Sequence, residues 1–267
     1  MNVDEILRHS KIAVLDEVKS TNEELMALAR AGAPCGSGIR ARIQWAGRGR
    51  RTHRWSSPEG GLYLSILIKT DIPQRQLPGL PIACGIGVAD ALMEAGGTGI
   101  RLKWPNDVVV DAGKIGGILV EVSQSSGETL AVCGMGINLE PPSDCAREEG
   151  SLPVTGLLAN RSSDRPAPSV EELAESVRLH VLEAVAAWTD GLAEAGADAA
   201  PLTGILEAYN ELLAYKDGRV RVFSPDGTIS TTGILKGIDP WGRALVERAD
   251  GAVDPFDASR VSLRPLA

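Results

Sequence analysis

The stretch DVVVDAGKIGGILVEVSQSSGETLAVCGMGINL (residues 107–139) holds three apolar runs separated by two turn signals. Asp111-Ala112-Gly113 closes the first pair of runs and Ser125 to Glu128 the second, so the segment reads as two β-hairpins in series. Sequential hairpins build antiparallel ladders, and a mixed or antiparallel sheet is expected at the centre of the fold. Working outward, LYLSILI (62–68) is a strongly apolar strand, and KIAVLDEV (11–18) and GIRARIQ (38–44) read as further strands. Between those two, TNEELMALAR (21–30) carries Leu25, Leu28 and Ala29 at helical spacing. LPIACGIGVADALMEAG (80–96) is a second helix, stopped by Gly96-Gly97. Helices before and after a run of hairpins predict an α+β domain, its sheet covered by helices.

From Pro141 to Pro168 the pattern gives way to Pro, Ser and Asp. A segment of that length without structure inside a domain is commonly a functional lid or disordered. Helical periodicity returns in VEELAESVRLHVLEAVAAW (170–188) and LTGILEAYNELLAY (202–215). After Lys216 the texture changes to short β-runs spaced by Asp-Gly, Pro and Trp-Gly turns, GRVRVFS, GTISTTGILKGID, GRALVER and SRVSLRP. That predicts a small β-barrel of about five strands. The expected division is one domain over 1–215 and a second over 216–267.

The chain has 27 basic and 35 acidic residues, a formal net charge of −8, which argues against a general nucleic-acid binder because phosphate neutralisation drives that affinity. Apolar residues make up 43% and aromatics only 4%, so packing rests on Leu, Val, Ile and Ala. Cys35, Cys84, Cys133 and Cys145 lie far apart with no CxxC pair, which favours reduced thiols over a disulfide framework or a zinc site. MNVDEILRHSK at the start has no apolar signal-peptide core, and no run of about 18 apolar residues is expected. A soluble, cytoplasmic chain without DNA or membrane binding is expected.

Against that acidic balance stands QWAGRGRRTHRW (44–55). Arg48, Arg50, Arg51 and Arg54 offer planar forks suited to carboxylate and phosphate oxygens, and Gly47 and Gly49 let the backbone come close to a ligand. A solvated basic turn, or an RNA-binding glycine-arginine run with Trp45 and Trp55 as stacking surfaces, is the competing reading. Ser20-Thr21-Asn22 either forms a capping box with Glu23 or Glu24 or offers polar groups to a small ligand. In KWPND (103–107), Asn106-Asp107 fits turn chemistry, whereas Lys103 at a strand end does not. GKIGGIL (113–119) and GMGINL (134–139) set glycines inside strands, where they often mark the approach of a ligand.

The order of these five segments resembles the biotin protein ligase family, and the terminal module closing in VSLR (261–264) is similar to that family's small C-terminal domain. The resemblance implies a catalytic domain akin to class II aminoacyl-tRNA synthetases plus an SH3-like barrel. With the catalytic pattern beginning by residue 11, a monofunctional ligase without an N-terminal winged helix is expected. The implied activity joins biotin to ATP as biotinyl-5′-AMP, with release of pyrophosphate. Biotin then passes to a lysine of a carboxylase's biotin carboxyl carrier domain; a homodimer is a further expectation.

By the same resemblance Ser20, Thr21, Asn22, Gln44, Arg48, Gly49, Arg50, Lys114 and Gly117 would bind biotin. Arg50, Arg51, His53, Trp55, Lys103, Asn106, Asp107 and Asn138 would bind ATP. Lys114, Arg48 and Arg50 would carry the chemistry. Magnesium would arrive with the nucleotide, near Asp107, with no dedicated cage. A lipoate ligase is the nearest alternative, but lipoate lacks the ureido ring that Ser-Thr-Asn and Gln44 would bind.

The chain departs from the family pattern at Trp45, where a smaller residue is usual, at Thr52, where a third glycine is usual, and at His53, where an arginine follows. A neutral imidazole removes a fixed positive charge from the phosphate side, which reduces ATP affinity without loss of activity unless Arg54 or Arg51 compensates. His53→Arg is therefore expected to lower the KM for ATP; an unchanged KM in steady-state kinetics argues against that role.

Overall fold

The computed structural model describes residues 11–51, 53–125, 128–142, 152–164 and 166–266. Seven strands form the main sheet: β1 (Ile12–Val18), β2 (Gly38–Gln44), β3 (Gly61–Thr70), β4 (Arg101–Lys103), β5 (Asp107–Val110), β6 (Gly113–Ser125) and β7 (Glu128–Asn138). Their spatial order is β1-β2-β3-β7-β6-β5-β4. β1 runs parallel to β2 and the other ladders are antiparallel. Both hairpins of the 107–139 stretch form: Val110 pairs with Gly113 in the first, and Ser125 with Glu128 in the second. The sheet is thus mixed, as expected.

Period-two alternation decides what each face carries. On β3, Leu62, Leu64, Ile66 and Ile68 join the large core, and on β7 Ala131, Cys133, Met135 and Ile137 do the same. That face is covered by two helices, α2 (Leu80–Glu94) and α3 (Val170–Ala195). The opposite face is covered by α1 (Thr21–Arg30), whose Leu25 and Ala29 pack on Ile39, Leu67, Leu130 and Val132. Beyond α1's reach the same register continues on β7 as Gly134 and Gly136, and on β3 as Ser65. The sheet is therefore apolar under the helix and small or polar past its N-terminus. Thr21, Asn22 and Trp55 pack there, against Ser65, Gly134 and Gly136.

Three expectations are corrected. Ser20 stands at the N-cap of α1, but its side chain makes no capping bond, so neither proposed capping box forms; Ser169 with Glu172, at the start of α3, makes the real one. A run of 18 residues, Leu77–Glu94, is apolar and long enough to cross a membrane, contrary to the reading of the sequence. It is α2 with its preceding 3-10 turn, and 61% of it is buried, as in a core helix. Third, the 141–168 segment is not structureless where it is described. Pro153 accepts a bond from Lys114 N, Leu157 N donates to Asn138 O, and Ser162 N donates to Gly96 O. Residues 153–162 are thus tied to the sheet end and to the stop of α2, while 143–151 lie outside the described residues.

α3 runs past the expected end to Ala195, and the 202–215 helix shortens to α4 (Leu206–Leu212). The chain then passes through two left-handed residues, Tyr215 (φ 62°) and Asp217 (φ 60°), into β8 (Arg219–Phe223), β9 (Ile229–Ile238), β10 (Ala244–Glu247), β11 (Val253–Phe256) and β12 (Ser262–Pro265). These five strands form an antiparallel sheet in the order β11-β10-β9-β8-β12, with β11 and β12 at its edges among the described residues. Its buried Val220, Val222, Leu235, Val246 and Leu263 belong to the same apolar cluster as the main core.

α2 and α3 pack closely at Gly87, where an added Cβ would lie 2.5 Å from the His180 carbonyl and 2.7 Å from Val181 Cα. Helix propensity favours Gly87→Ala by about 1 kcal/mol, but both neighbours are backbone and overpacking costs roughly 1–3 kcal/mol. Gly87→Ala is expected to lower stability in urea unfolding; a gain in stability would mean the helix pair has slack.

Candidate functional site

The arginine segment is an ordered hairpin. Gln44 bridges Ser57 and Arg48 bridges Arg54; Trp55 N donates to Gly47 O (3.0 Å) and Gly49 N to His53 O (2.9 Å). Gly47 is required by the hairpin itself, since a Cβ there would sit 2.5 Å from the Trp55 carbonyl and 2.8 Å from Ser57 Oγ. The two tryptophans separate: Trp45 is 65% exposed, whereas Trp55 folds inward.

Trp55 lies on a floor without side chains. Gly117 and Gly136 pair across β6 and β7. An added Cβ at Gly117 would meet the indole at 3.2 Å, and one at Gly136 would meet its Nε1 at 2.2 Å. That Nε1 is buried without a hydrogen-bond partner among the described residues. Lys114 Nζ stands 5.1 Å from the Trp55 ring centroid, within cation–π range. Floor, tryptophan and lysine come from three of the five motifs.

Lys114 Nζ also contacts Asp107 Oδ1 at 2.5 Å, and Lys103 Nζ contacts Asp107 Oδ2 at 2.8 Å. The three side chains are 14%, 15% and 27% exposed for Lys103, Asp107 and Lys114, so solvent screens them little. Burial pushes the Asp107 carboxyl up, but the two ammonium groups outweigh it and bring its pKa down to about 2. Lys103 thus points inward, the condition under which turn chemistry fails to explain it. Arg50 lies within Asp107's field, while burial and the neighbouring Arg51 pull its pKa below the usual arginine value.

The third group lies at the start of α1. Thr21 donates to Gln44 Oε1 from both its amide (2.9 Å) and its hydroxyl (3.1 Å), and Gln44 Nε2 donates to Ser57 Oγ (2.9 Å). Ser65 Oγ lies 2.8 Å from Thr21 Oγ1 and 2.6 Å from Asn22 Oδ1. Asn22 Nδ2 donates to Leu119 O (3.2 Å) and Glu121 Oε2 (2.8 Å), and the same carboxylate oxygen holds Arg48 at 2.8 Å. Ser20 is buried beside them. Gly134 is needed because a Cβ would fall 2.0 Å from Asn22 Oδ1.

The remaining predicted residues divide. Asn106 Nδ2 donates to Ile118 O (3.0 Å), clipping the KWPND turn, with its cis Trp104–Pro105 bond, onto β6. Asn138 is buried and donates to Thr155 O (3.4 Å). Arg50 and Arg51 reach the C-terminal sheet: Arg50 donates to Ala258 O, Arg51 to Ser259 O and Val261 O. The His53 side chain is exposed and its ring makes no hydrogen bond among the described residues, and Thr52 lies outside them. Each oxygen of Asp107 contacts one ammonium group. Among the described residues no group of three or more His, Cys, Asp or Glu could hold a metal ion. Sequence reasoning missed Ser57, Ser65 and Glu121. A lone serine in the apolar LYLSILI was a usable signal; Glu121 in alternating VEV looked like any solvent-facing residue.

A family model described as "Biotin/lipoate A/B protein ligase family" matches residues 15–138, and one for the "Biotin protein ligase C terminal domain" matches 218–264. The bifunctional ligase/repressor BirA of Escherichia coli is 32% identical over 263 residues, covering 95% of this chain and 74% of that protein. The biotin–[acetyl-CoA-carboxylase] ligase of Paracoccus denitrificans is 31% identical over 252 residues, 93% of this chain and 98% of the relative. Among solved structures, the biotin protein ligase of Aquifex aeolicus in complex with biotin and ATP superposes with a TM-score of 0.71 at 25% identity, covering 96% of this chain and 100% of that one.

Because Asp107 titrates at about 2 when folded, against 3.8 ordinarily, its stabilising contribution is complete above the ordinary value and is lost as pH falls through the folded one. The shift corresponds to about 2 kcal/mol. Urea unfolding of wild type and Asp107→Asn should show a gap at pH 5 that narrows toward pH 2; a gap of constant size would mean that ionisation of Asp107 does not stabilise the fold.

Proposed function

The chain belongs to the biotin/lipoate A/B protein ligase family, and from that premise we propose the following chemistry for its site. The enzyme is a biotin protein ligase that joins the biotin carboxylate to the α-phosphate of ATP, releases pyrophosphate, and passes the biotinyl group from the adenylate to a lysine amine of a carboxylase's carrier domain, with release of AMP. The observation that supports this reading is the joining of two basic motifs on one shielded acid, Lys103 and Lys114 on Asp107, with Lys114 against the Trp55 indole on its glycine floor; Arg48, in the same hairpin as Trp55, is held by Glu121.

Forming the adenylate requires two anions to approach. At about 4 Å and an effective dielectric near 20, each like-charge pair costs roughly 4 kcal/mol. Fixed cations remove that cost, and cations already held by Asp107 and Glu121 need little reordering when the substrates enter. Lys114 is the point charge assigned to the phosphoryl oxygens in the transition state. Arg48 and Arg50 are the forks for the acid and the phosphate. Thr21, Gln44 and Ser20 would meet the ureido ring beside the Gly117 backbone, and Lys103, Asn106 and Asn138 the nucleotide. Asn22, bonded to Ser65, Leu119 and Glu121, orients Glu121 and so Arg48, and its Oδ1 keeps a second lone pair for biotin. Magnesium enters as part of the nucleotide substrate and keeps its own waters. Asp107's task is to hold the two lysines. The mixed anhydride must be shielded from water, and the arginine hairpin is the cover supplied by this chain.

ATP–pyrophosphate exchange tests the reading, with biotin and lipoate offered separately as the acid. Biotin is expected to support exchange and lipoate not; exchange with lipoate alone would overturn the assignment. Lys114→Ala is expected to lower biotin-dependent exchange about 10²-fold or more, and wild-type exchange in that variant would remove Lys114 from the mechanism.

A further inference from the structure

The arginine hairpin is tied to the far end of the chain. Arg50 Nη2 donates to the Ala258 carbonyl at 2.5 Å, and Arg51 Nη2 to the carbonyls of Ser259 (3.2 Å) and Val261 (3.4 Å). All three acceptors lie between β11 and β12. Asp257 builds that turn. Its Oδ1 accepts from Ser259 N (2.7 Å) and Ser259 Oγ (2.6 Å), and its carbonyl accepts from Arg260 N (3.0 Å) and Val261 N (3.1 Å). The Ala258 and Ser259 carbonyls receive no main-chain donor among the described residues, which leaves them turned outward for the two guanidinium groups. Arg51 holds a left-handed backbone (φ 57°), a conformation a non-glycine residue keeps where its surroundings impose it. A second tie runs parallel: Trp104 of KWPND donates from Nε1 to Gly242 O (3.0 Å).

We propose that the 257–261 turn is a clasp for the arginine hairpin, with Asp257 the positioning residue that shapes it and Arg51 its handle, so that the C-terminal sheet serves the adenylate-forming step. The clasp uses one of Arg50's five N–H donors. The others remain for an anion, so the contact fixes the guanidinium without hiding it. A hairpin ordered in advance spares the triphosphate the entropic cost of ordering it on arrival. Arg51 is thereby reassigned from nucleotide ligand to structural tie. Asp257 also sits where its charge favours the protonated form of Arg50, but it is the turn that the clasp depends on.

The proposal rests on the ligase reading for its kinetic consequence and on geometry alone for its structural one, so two measurements are needed. The full chain is compared as wild type, Asp257→Ala, Asp257→Asn and Arg51→Met. One assay is biotin-dependent ATP–pyrophosphate exchange against ATP concentration. The other is the rate of trypsin cleavage after Arg50 and Arg54 in the native protein. Asp257→Ala and Arg51→Met are expected to raise the KM for ATP about tenfold with little change in kcat, and to speed hairpin cleavage by about the same factor. Asp257→Asn keeps an acceptor oxygen for Ser259 and is expected to behave as wild type. Asp257 is exposed, so its variants should keep the fold, which thermal unfolding checks. Unchanged KM and unchanged cleavage in Asp257→Ala overturn the clasp, as does a lowered KM, which would mean that the turn sequesters Arg50. Equal defects in Asp257→Asn and Asp257→Ala also overturn it, since charge alone would then be at work. Wild type without exchange defeats the ligase reading instead, and the cleavage rates still decide the clasp.

Discussion

Two ammonium groups brought to one place repel each other, and the partly buried carboxylate they share offsets that repulsion. Asp107 stands between Lys103 and Lys114, and Glu121 receives Arg48. The carboxylates also fix positions: an unpaired lysine on a flexible stem samples many rotamers, whereas one held against a shielded acid points one way. Lys103 and Asp107 flank the turn between β4 and β5, and the pairing of β5 with β6 brings Lys114 to the same acid.

The sheet also changes character along its length. Under α1 the face is Leu67, Leu130 and Val132; one register step further it is Ser65, Gly134 and Gly136. Removing side chains there opens a floor on which Trp55 lies and next to which Asn22 fits. The glycines are thus a packing requirement of the site, each with a neighbour that a methyl group would strike. The same economy explains why the arginine hairpin is ordered: Gly47 lets its arms touch, and the C-terminal turn holds its tip.

Much of the fold was legible. Strands β2 and β3, helices α1 and α2 and both hairpins sit where periodicity and turn residues place them, because those signals act over a few neighbouring residues. The failures have the same origin. A capping box at Ser20 was a local inference, but Thr21 spends its hydrogen bonds on Gln44 and Ser65 instead. The Pro-rich segment carries no periodic pattern, yet residues 153–162 are tied to the sheet through main-chain bonds that composition does not encode.

Sequence alone determined the alternation of elements, the antiparallel centre, the change of texture after Lys216, and the presence of five motifs, four of them basic or glycine-rich, in a recognisable order. Only the tertiary structure decided their partners. Asn22 meets Glu121 across 99 residues and Arg50 meets Ala258 across 208, contacts set by strand order and by the docking of the terminal sheet. The reason is one of range: propensity and turn chemistry are settled by neighbours along the chain, whereas which carboxylate neutralises which cation depends on the register of strands that are distant in sequence.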